Sequence, residues 1–258
     1  MAGSQIERAF RVVERLTHEP RGLSLQSLAE ALDLPKSAAH RLLTELTRLG
    51  YVRQNAENLR YLLTTRLVAQ GFRYLGHSGV DIVQPILDRL AEQTAELIRL
   101  GVVDGARLTW LAKAQGARSG LRYDPDMGRE APLFYTASGH AWLATLNDDQ
   151  AMALVEAQGI APAEGFGPNA PRNTEQLLAR LRLARAQGYA WVIESSAVGM
   201  SALAVAVRHP DSGATLGVLS VAGPTARLPE ARLHGLAPAT QAAAVELAQA
   251  SMACEWFR

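Results

Sequence analysis

The sequence predicts an α+β protein in two parts, a small helical head closed by a hairpin and a larger domain built around an antiparallel sheet. Three observations carry this reading. Apolar residues repeat at helical spacing in three short runs before residue 50, and two brief β-prone runs follow. Beyond residue 80, helical patterns alternate with strand pairs joined by turn residues, the pattern of an α+β domain. Charge also divides: residues 1–79 hold 11 Lys/Arg against 7 Asp/Glu, and the remainder holds 15 against 18. A mildly basic head on a mildly acidic body is expected where only the head meets phosphate.

The head reads as follows. Ser4, with Glu7 three residues on, has the spacing of a capping box, and Ile6, Phe10, Val13 and Leu16 form an apolar stripe behind it. Pro20-Arg21-Gly22 ends that helix. Ser24 caps a second, short helix carrying Leu25, Leu28, Ala29 and Leu32. Asp33-Leu34-Pro35 then turns the chain, and Pro35 suits the start of a third helix, where its missing N–H costs nothing. Ala39, Leu42, Leu43 and Leu46 give this helix its inner face, and Gly50 stands where a terminating glycine belongs. Tyr51–Gln54 and Leu59–Leu62 make a hairpin. Two helices joined by a tight turn and followed by a hairpin constitute a winged helix-turn-helix, assigned to residues 1–63. A linker helix is expected over 64–79, ending in Gly76-His77-Ser78-Gly79.

Residues 80–258 form the second domain. The expected order is a helix over Val80–Thr94, strands over Glu96–Val103 and Ala106–Lys113 joined at Asp104-Gly105, and a long loop over 114–132 with a short strand at Leu121–Tyr123. Helices over Ser138–Thr145, Asp148–Ala157 and Thr174–Gln187 follow. Strands over Tyr189–Ser195, Ala202–Arg208 and Thr215–Val221 come next, and a helix over Leu233–Ala253 closes the chain.

Composition narrows the function. With 48% hydrophobic and 20% charged residues, the chain can bury a core. The single cysteine, Cys254, excludes an intramolecular disulfide. No apolar leader and no run long enough for a membrane span is expected, so the reading is a cytoplasmic protein. No Gly-x-Ser-x-Gly, His-Glu-x-x-His, P-loop or Gly-x-Gly-x-x-Gly motif occurs. The six histidines are scattered without metal-ligand spacing, so neither enzyme, metal site nor cofactor is expected. The DNA-reading candidates are Lys36, Ser37, Ala38, His40 and Arg41 at the start of the third helix, with Arg53, Asn58 and Arg60 on the wing. The alternative for each is an ordinary solvated residue.

At these residues the chain resembles a known family. Leu25-Gln26-Ser27-Leu28-Ala29, Leu34-Pro35-Lys36-Ser37-Ala38-Ala39-His40-Arg41-Leu42-Leu43 and Leu49-Gly50-Tyr51-Val52 resemble the IclR family of bacterial transcriptional regulators. So do Ala131-Pro132-Leu133, Thr136-Ala137-Ser138-Gly139-His140-Ala141, Glu194 with Gly199-Met200, and Ser220-Val221-Ala222-Gly223-Pro224. The chain departs from the family's pattern at Ala202, where a cysteine is common, and at Trp142.

The resemblance implies a GAF-like or profilin-like second domain with a six-stranded antiparallel sheet. It further implies a small organic acid as effector, often aromatic or a keto acid, and a homodimer or tetramer on an operator in double-stranded DNA. The ligand candidates are Tyr123, Met127, Phe134, Ser138, Gly139, His140, Trp142, Glu194, Met200, Ser201 and Ser220. The amides opening the helix at Ser138–His140 can hold a carboxylate, and the aromatic and Met side chains can wall a ring. Trp142, Met200 and His140 read equally as core residues. A ligand-free architectural DNA binder and an enzyme remain the alternative functions.

Overall fold

The computed structural model describes residues 4–77, 80–125, 127–160 and 165–250. Ser78 and Gly79 of the expected break, Asp126, Cys254 and the last three residues of the expected terminal helix lie outside them. The chain divides into two compact units, Met1–His77 and Ser78–Arg258.

In the first unit, Ser4 caps α1 (Gln5–Thr17) by accepting from the Glu7 N–H at 3.1 Å, and Ser24 caps α2 (Leu25–Ala31) by accepting from the Ser27 N–H at 3.1 Å. Asp33 turns the chain at φ 51°, and Pro35 stands as the N-cap of α3 (Lys36–Arg48). Gly50, at φ 79°, takes the left-handed conformation that ends α3 without a Cβ penalty. The wing is β1 (Val52–Gln54) against β2 (Tyr61–Leu63), antiparallel with Val52 opposite Leu63. Val12, Leu16, Leu28, Leu43, Val52 and Tyr61 form the core.

The apolar stripe expected on α1 divides. Leu16 is buried, whereas Ile6 and Phe10 point to solvent, Phe10 being 65% exposed. α4 (Arg66–His77) is pinned to the head by Arg66, which donates to the Leu49 carbonyl at 2.7 Å and lies over the Tyr51 ring at 4.9 Å.

The second unit is a five-stranded antiparallel sheet among the described residues, in the order β4-β3-β7-β6-β5. Its strands are β3 (Leu97–Asp104), β4 (Arg107–Gln115), β5 (Ala190–Ile193), β6 (Met200–Arg208) and β7 (Thr215–Pro224). The short strand expected at Leu121–Tyr123 does not form. Gly116, Gly120 and Pro125 interrupt that stretch. The edge of β4 is met six or more residues later, where the Trp110 N–H donates to the Arg129 carbonyl and the Ala131 N–H to the Leu108 carbonyl.

α5 (Val80–Thr94) and α9 (Glu230–Ala250) pack together on one face of the sheet. α6 (Ala137–Leu143) and α8 (Thr174–Gln187) cover the other, with α7 (Asp148–Gln158) supplying Ala151 and Val155 to the same core. A buried ion pair staples the start of β3. Glu96, 1% exposed, accepts from Arg227 through both carboxylate oxygens at 2.8 and 2.7 Å. Gly223 is required beside it, because a Cβ there would stand 2.2 Å from a Glu96 oxygen.

Candidate DNA-reading face and candidate ligand site

α3 is amphipathic in the sense a reading helix needs. Ala39, Leu42, Leu43 and Leu46 are buried against α1 and α2, which turns Lys36, Ser37, His40, Arg41 and Thr44 to solvent. Ala38 is half-buried and Ala39 faces the core, so only the first of the two alanines borders the outer face. Lys36, Arg41 and Arg53 engage no carboxylate among the described residues, so their charges are available. Arg48 differs: Glu45, one turn away, accepts from it at 3.0 and 2.5 Å. On the wing, Arg60 donates to the Gly22 carbonyl at 3.2 Å, and Asn58 accepts from the Arg60 N–H at 3.0 Å. Both stay exposed, but each first serves the hairpin's own geometry.

The sequence-predicted ligand residues do not converge. Strand register decides one case. Ser220 pairs with Ala204 and Ser201 with Gly223, so the alternation of side chains puts the two serines on opposite faces of the sheet. Ser201 donates to Thr225 at 3.0 Å, and Ser220 to the Arg99 carbonyl at 3.3 Å.

The start of α6 is also committed. The Gly139 N–H donates to the Thr136 hydroxyl and the His140 N–H to the Thr136 carbonyl, both at 3.0 Å, so these amides are not free for a carboxylate. Gly139 is glycine because α6 presses on the preceding loop: a Cβ would lie 2.4 Å from the Leu133 carbonyl oxygen. Trp142 and Phe134 are buried in the core beneath α6, and Met127 packs on its margin. Met200 is half-buried at the start of β6. Glu194 is occupied in shaping the β5–β6 connection, its carboxylate accepting from the Gly199 N–H at 2.9 Å.

His140 is fully buried and shares a 2.9 Å hydrogen bond with the Phe134 carbonyl. Because a carbonyl only accepts, Nε2 carries the proton. Burial holds the imidazole down to about 4, against the opposing pull of that carbonyl, so it is neutral at pH 7. It borders a cavity of about 550 Å³ with Asn169, Arg172, Gln176, Arg180 and Trp191. Arg180 donates there to the Asn169 carbonyl and to Ser195, and burial lowers its guanidinium below the ordinary value. Of the predicted ligand residues only His140 lines this cavity.

Sequence reasoning missed a different group. Arg99 lies on β3 beside Ser220, on the sheet face toward α6. It is 5% exposed, its guanidinium stacked at 3.8 Å over the Trp110 ring and 5.6 Å from the Tyr123 ring. Its Nε and the Trp110 Nε1 are both buried without a hydrogen-bond partner among the described residues. Tyr123 was legible as an aromatic wall, whereas Arg99 stood within an apolar run, Leu97-Ile98-Arg99-Leu100, where no local signal singles it out.

Residues 5–56 match the IclR helix-turn-helix domain, and residues 73–249 match the bacterial transcriptional regulator IclR C-terminal domain. The chain belongs to the IclR family. Its curated relatives include the HTH-type transcriptional regulators XynR and KdgR of Escherichia coli strain K12. XynR is 29% identical over 95% of this chain and 96% of its own length. KdgR is 30% identical over 90% and 86%.

Solved IclR structures share the fold. The IclR transcriptional regulator from Alicyclobacillus acidocaldarius superposes with a TM-score of 0.82 at 22% identity, covering 97% of this chain and 99% of that one. An IclR homolog from Microbacterium hydrocarbonoxydans, complexed with 4-hydroxybenzoate, gives 0.75 at 20% identity over 96% and 98%. This IclR-family chain is therefore a transcriptional regulator rather than an enzyme, with a DNA-binding helix-turn-helix domain and an IclR C-terminal domain. No helix among the described residues is long and apolar enough to cross a membrane.

Proposed function

We propose that this regulator reads a pseudo-palindromic operator in duplex DNA through the outer face of α3, as a homodimer or a pair of dimers in the cytoplasm. A small organic acid held in the second unit sets its operator affinity. The observation that carries the reading is the cluster on α3: Lys36, Ser37, His40 and Arg41 stand exposed on one face, and the two cations among them, Lys36 and Arg41, meet no carboxylate among the described residues. A free guanidinium there can give guanine a bidentate contact in the major groove, while Lys36 and Arg53 neutralise phosphate.

Exposed apolar side chains support assembly with a second copy. Ile6 and Phe10 on α1, and Val68, Phe72 and Tyr74 on α4, are all more than half exposed. Such side chains in numbers mark an interaction surface. Two copies then present two α3 helices to half-sites one or more helical turns apart. α4 (Arg66–His77), tied to the head at Leu49 and Tyr51, leads into the effector unit, so it supplies the coupling between ligand and DNA. The 4-hydroxybenzoate in the Microbacterium homolog supports a carboxylic acid as the effector.

Fluorescence anisotropy with the duplex upstream of the regulator's own gene tests this. The expected preference over scrambled DNA is about 10³-fold or more at physiological salt. Addition of the effector acid shifts the operator Kd, because ligand and DNA affinities are linked reciprocally. Equal affinity for both duplexes refutes operator reading, and an operator Kd indifferent to organic acids refutes the effector half.

A further inference from the structure

Two cations stand side by side on the α6 face of the sheet. Arg99 on β3 pairs directly with Lys113 on β4, so their side chains leave the same face as cross-strand neighbours. Lys113 has its carboxylate, Asp124, which reaches over from the loop after β4. Arg99 has none. The other nearby acid in sequence, Glu96, is fully engaged by Arg227 and approached by Arg232 at 3.8 Å. Burial pushes the Arg99 guanidinium below the ordinary arginine value, yet arginine does not lose its charge in proteins, so a largely buried cation is kept without a counter-ion among the described residues.

The aromatic faces of Trp110 and Tyr123 offset part of that cost, but neither ring carries a compensating negative charge. The second orphan has the same sign of deficit. Trp110 Nε1 is a donor, as is Arg99 Nε, and both lack an acceptor among the described residues. A site short only of acceptors, holding one unbalanced positive charge, is complementary to an anion with a single charge.

We infer that Arg99, braced between Trp110 and Tyr123, is the anchor for the carboxylate of a small monocarboxylic acid. This rests on the proposed reading of the second unit as an effector domain and names the residue that binds the acid. The guanidinium fork fits a planar carboxylate bidentately. A monoanion is selected because one uncompensated cation stands here among the described residues: Lys113, its cross-strand neighbour, is already neutralised by Asp124. Tyr123 closes the site from the loop, where its carbonyl accepts from Gln115 at 3.0 Å.

Thermal shift and calorimetry on the full-length protein, with benzoate, pyruvate and inorganic phosphate as probes, test the assignment. Benzoate or pyruvate is expected to raise the Tm saturably, and whichever does so tells an aromatic from a keto acid. Phosphate, carrying more than one charge, is expected to bind more weakly than either. Arg99→Met keeps the length and packing of the side chain. It is expected to weaken carboxylate binding by about 10- to 100-fold while the unliganded Tm stays level or rises, since an unpaired buried charge is gone.

A merely structural Arg99 gives the reverse pair of results: a lower Tm and an unchanged Kd. Should Arg99→Met fail to fold, Arg99→Lys carries the test, because an ammonium keeps the charge but not the fork. An unaltered carboxylate Kd in that variant overturns the assignment, as does a wild-type protein that shows no saturable shift with either carboxylate. The regulatory reading is judged separately by operator anisotropy. If carboxylate shifts operator affinity in the Arg99 variant at the same concentrations as in the wild type, the anchor is wrong and regulation stands. If carboxylate binds through Arg99 without moving operator affinity, the anchor stands and regulation falls.

Discussion

Two arginines on α3 make a matched pair for testing which charges read DNA. Arg41 lies in the first half of the helix, exposed and without a carboxylate partner among the described residues, whereas Arg48 in its last turn is held by Glu45 through two hydrogen bonds. Alanine is as good a helix former as arginine, so neither Arg41→Ala nor Arg48→Ala alters the fold, and each stays within about 0.5 kcal/mol in stability. In DNA binding they part. A bidentate guanine contact is worth about 1–3 kcal/mol per half-site. A dimer using Arg41 twice therefore loses about 2–6 kcal/mol of operator binding, roughly 30-fold to more than 10⁴-fold in Kd.

Arg48→Ala removes a charge the helix already balances, and its expected cost is near zero. Anisotropy titrations at several salt concentrations distinguish the roles further. If Arg41 reads a base, its removal lowers affinity for the operator far more than for scrambled DNA. If it meets only phosphate, its removal lowers both alike and reduces the salt slope by about one per site. Equal losses for the two variants, or an Arg41→Ala protein with wild-type operator affinity, would refute the assignment of α3's outer face.

Two further predictions concern the second unit. His140 has a folded value of about 4, below its unfolded value near 6.5, so the unfolded chain binds more protons between those limits. Stability is therefore fully present above about pH 6.5 and falls as the pH drops toward 4, by roughly 3 kcal/mol over the window. Urea midpoints against pH measure this, and His140→Gln, which keeps a donor toward the Phe134 carbonyl, is expected to flatten the fall; an unchanged slope counts against it. Gly139→Ala places a methyl 2.4 Å from the Leu133 carbonyl oxygen, against backbone that cannot rotate away, and is expected to cost about 1–3 kcal/mol in the same assay. A neutral result would mean that α6 has room the packing does not show.

What the sequence made legible was what local rules decide. Serine caps at 4 and 24, the terminating Gly50 and the inner stripe of α3 rest on spacing within one turn or one helix, and all are present in the structure. The outer side of α3 followed at once, because whatever is not buried on a short amphipathic helix is presented outward. The DNA-reading candidates thus needed no knowledge of long-range packing.

The ligand site required information of another kind. Ser201 and Ser220 both fall on predicted strands, but which face each occupies depends on register, and register depends on pairing across the sheet. Ile6 and Phe10 keep helical spacing with Leu16, yet a stripe does not say whether the head or a second molecule covers it.

Arg99 shows the limit most sharply. In the run Leu97-Ile98-Arg99-Leu100 an alternating strand would turn the arginine to water, and it does turn away from Ile98 and Leu100. The face it reaches is not solvent, however, but the second core of a sheet covered on both sides. A charged residue can be kept there only at a cost in stability, and the described residues offer it two aromatic faces and no counter-ion. Selection for stability alone would replace such a residue by an apolar one of similar volume. A guanidinium held in that position is thus evidence of what the folded domain lacks by itself, which is a negative charge brought from outside.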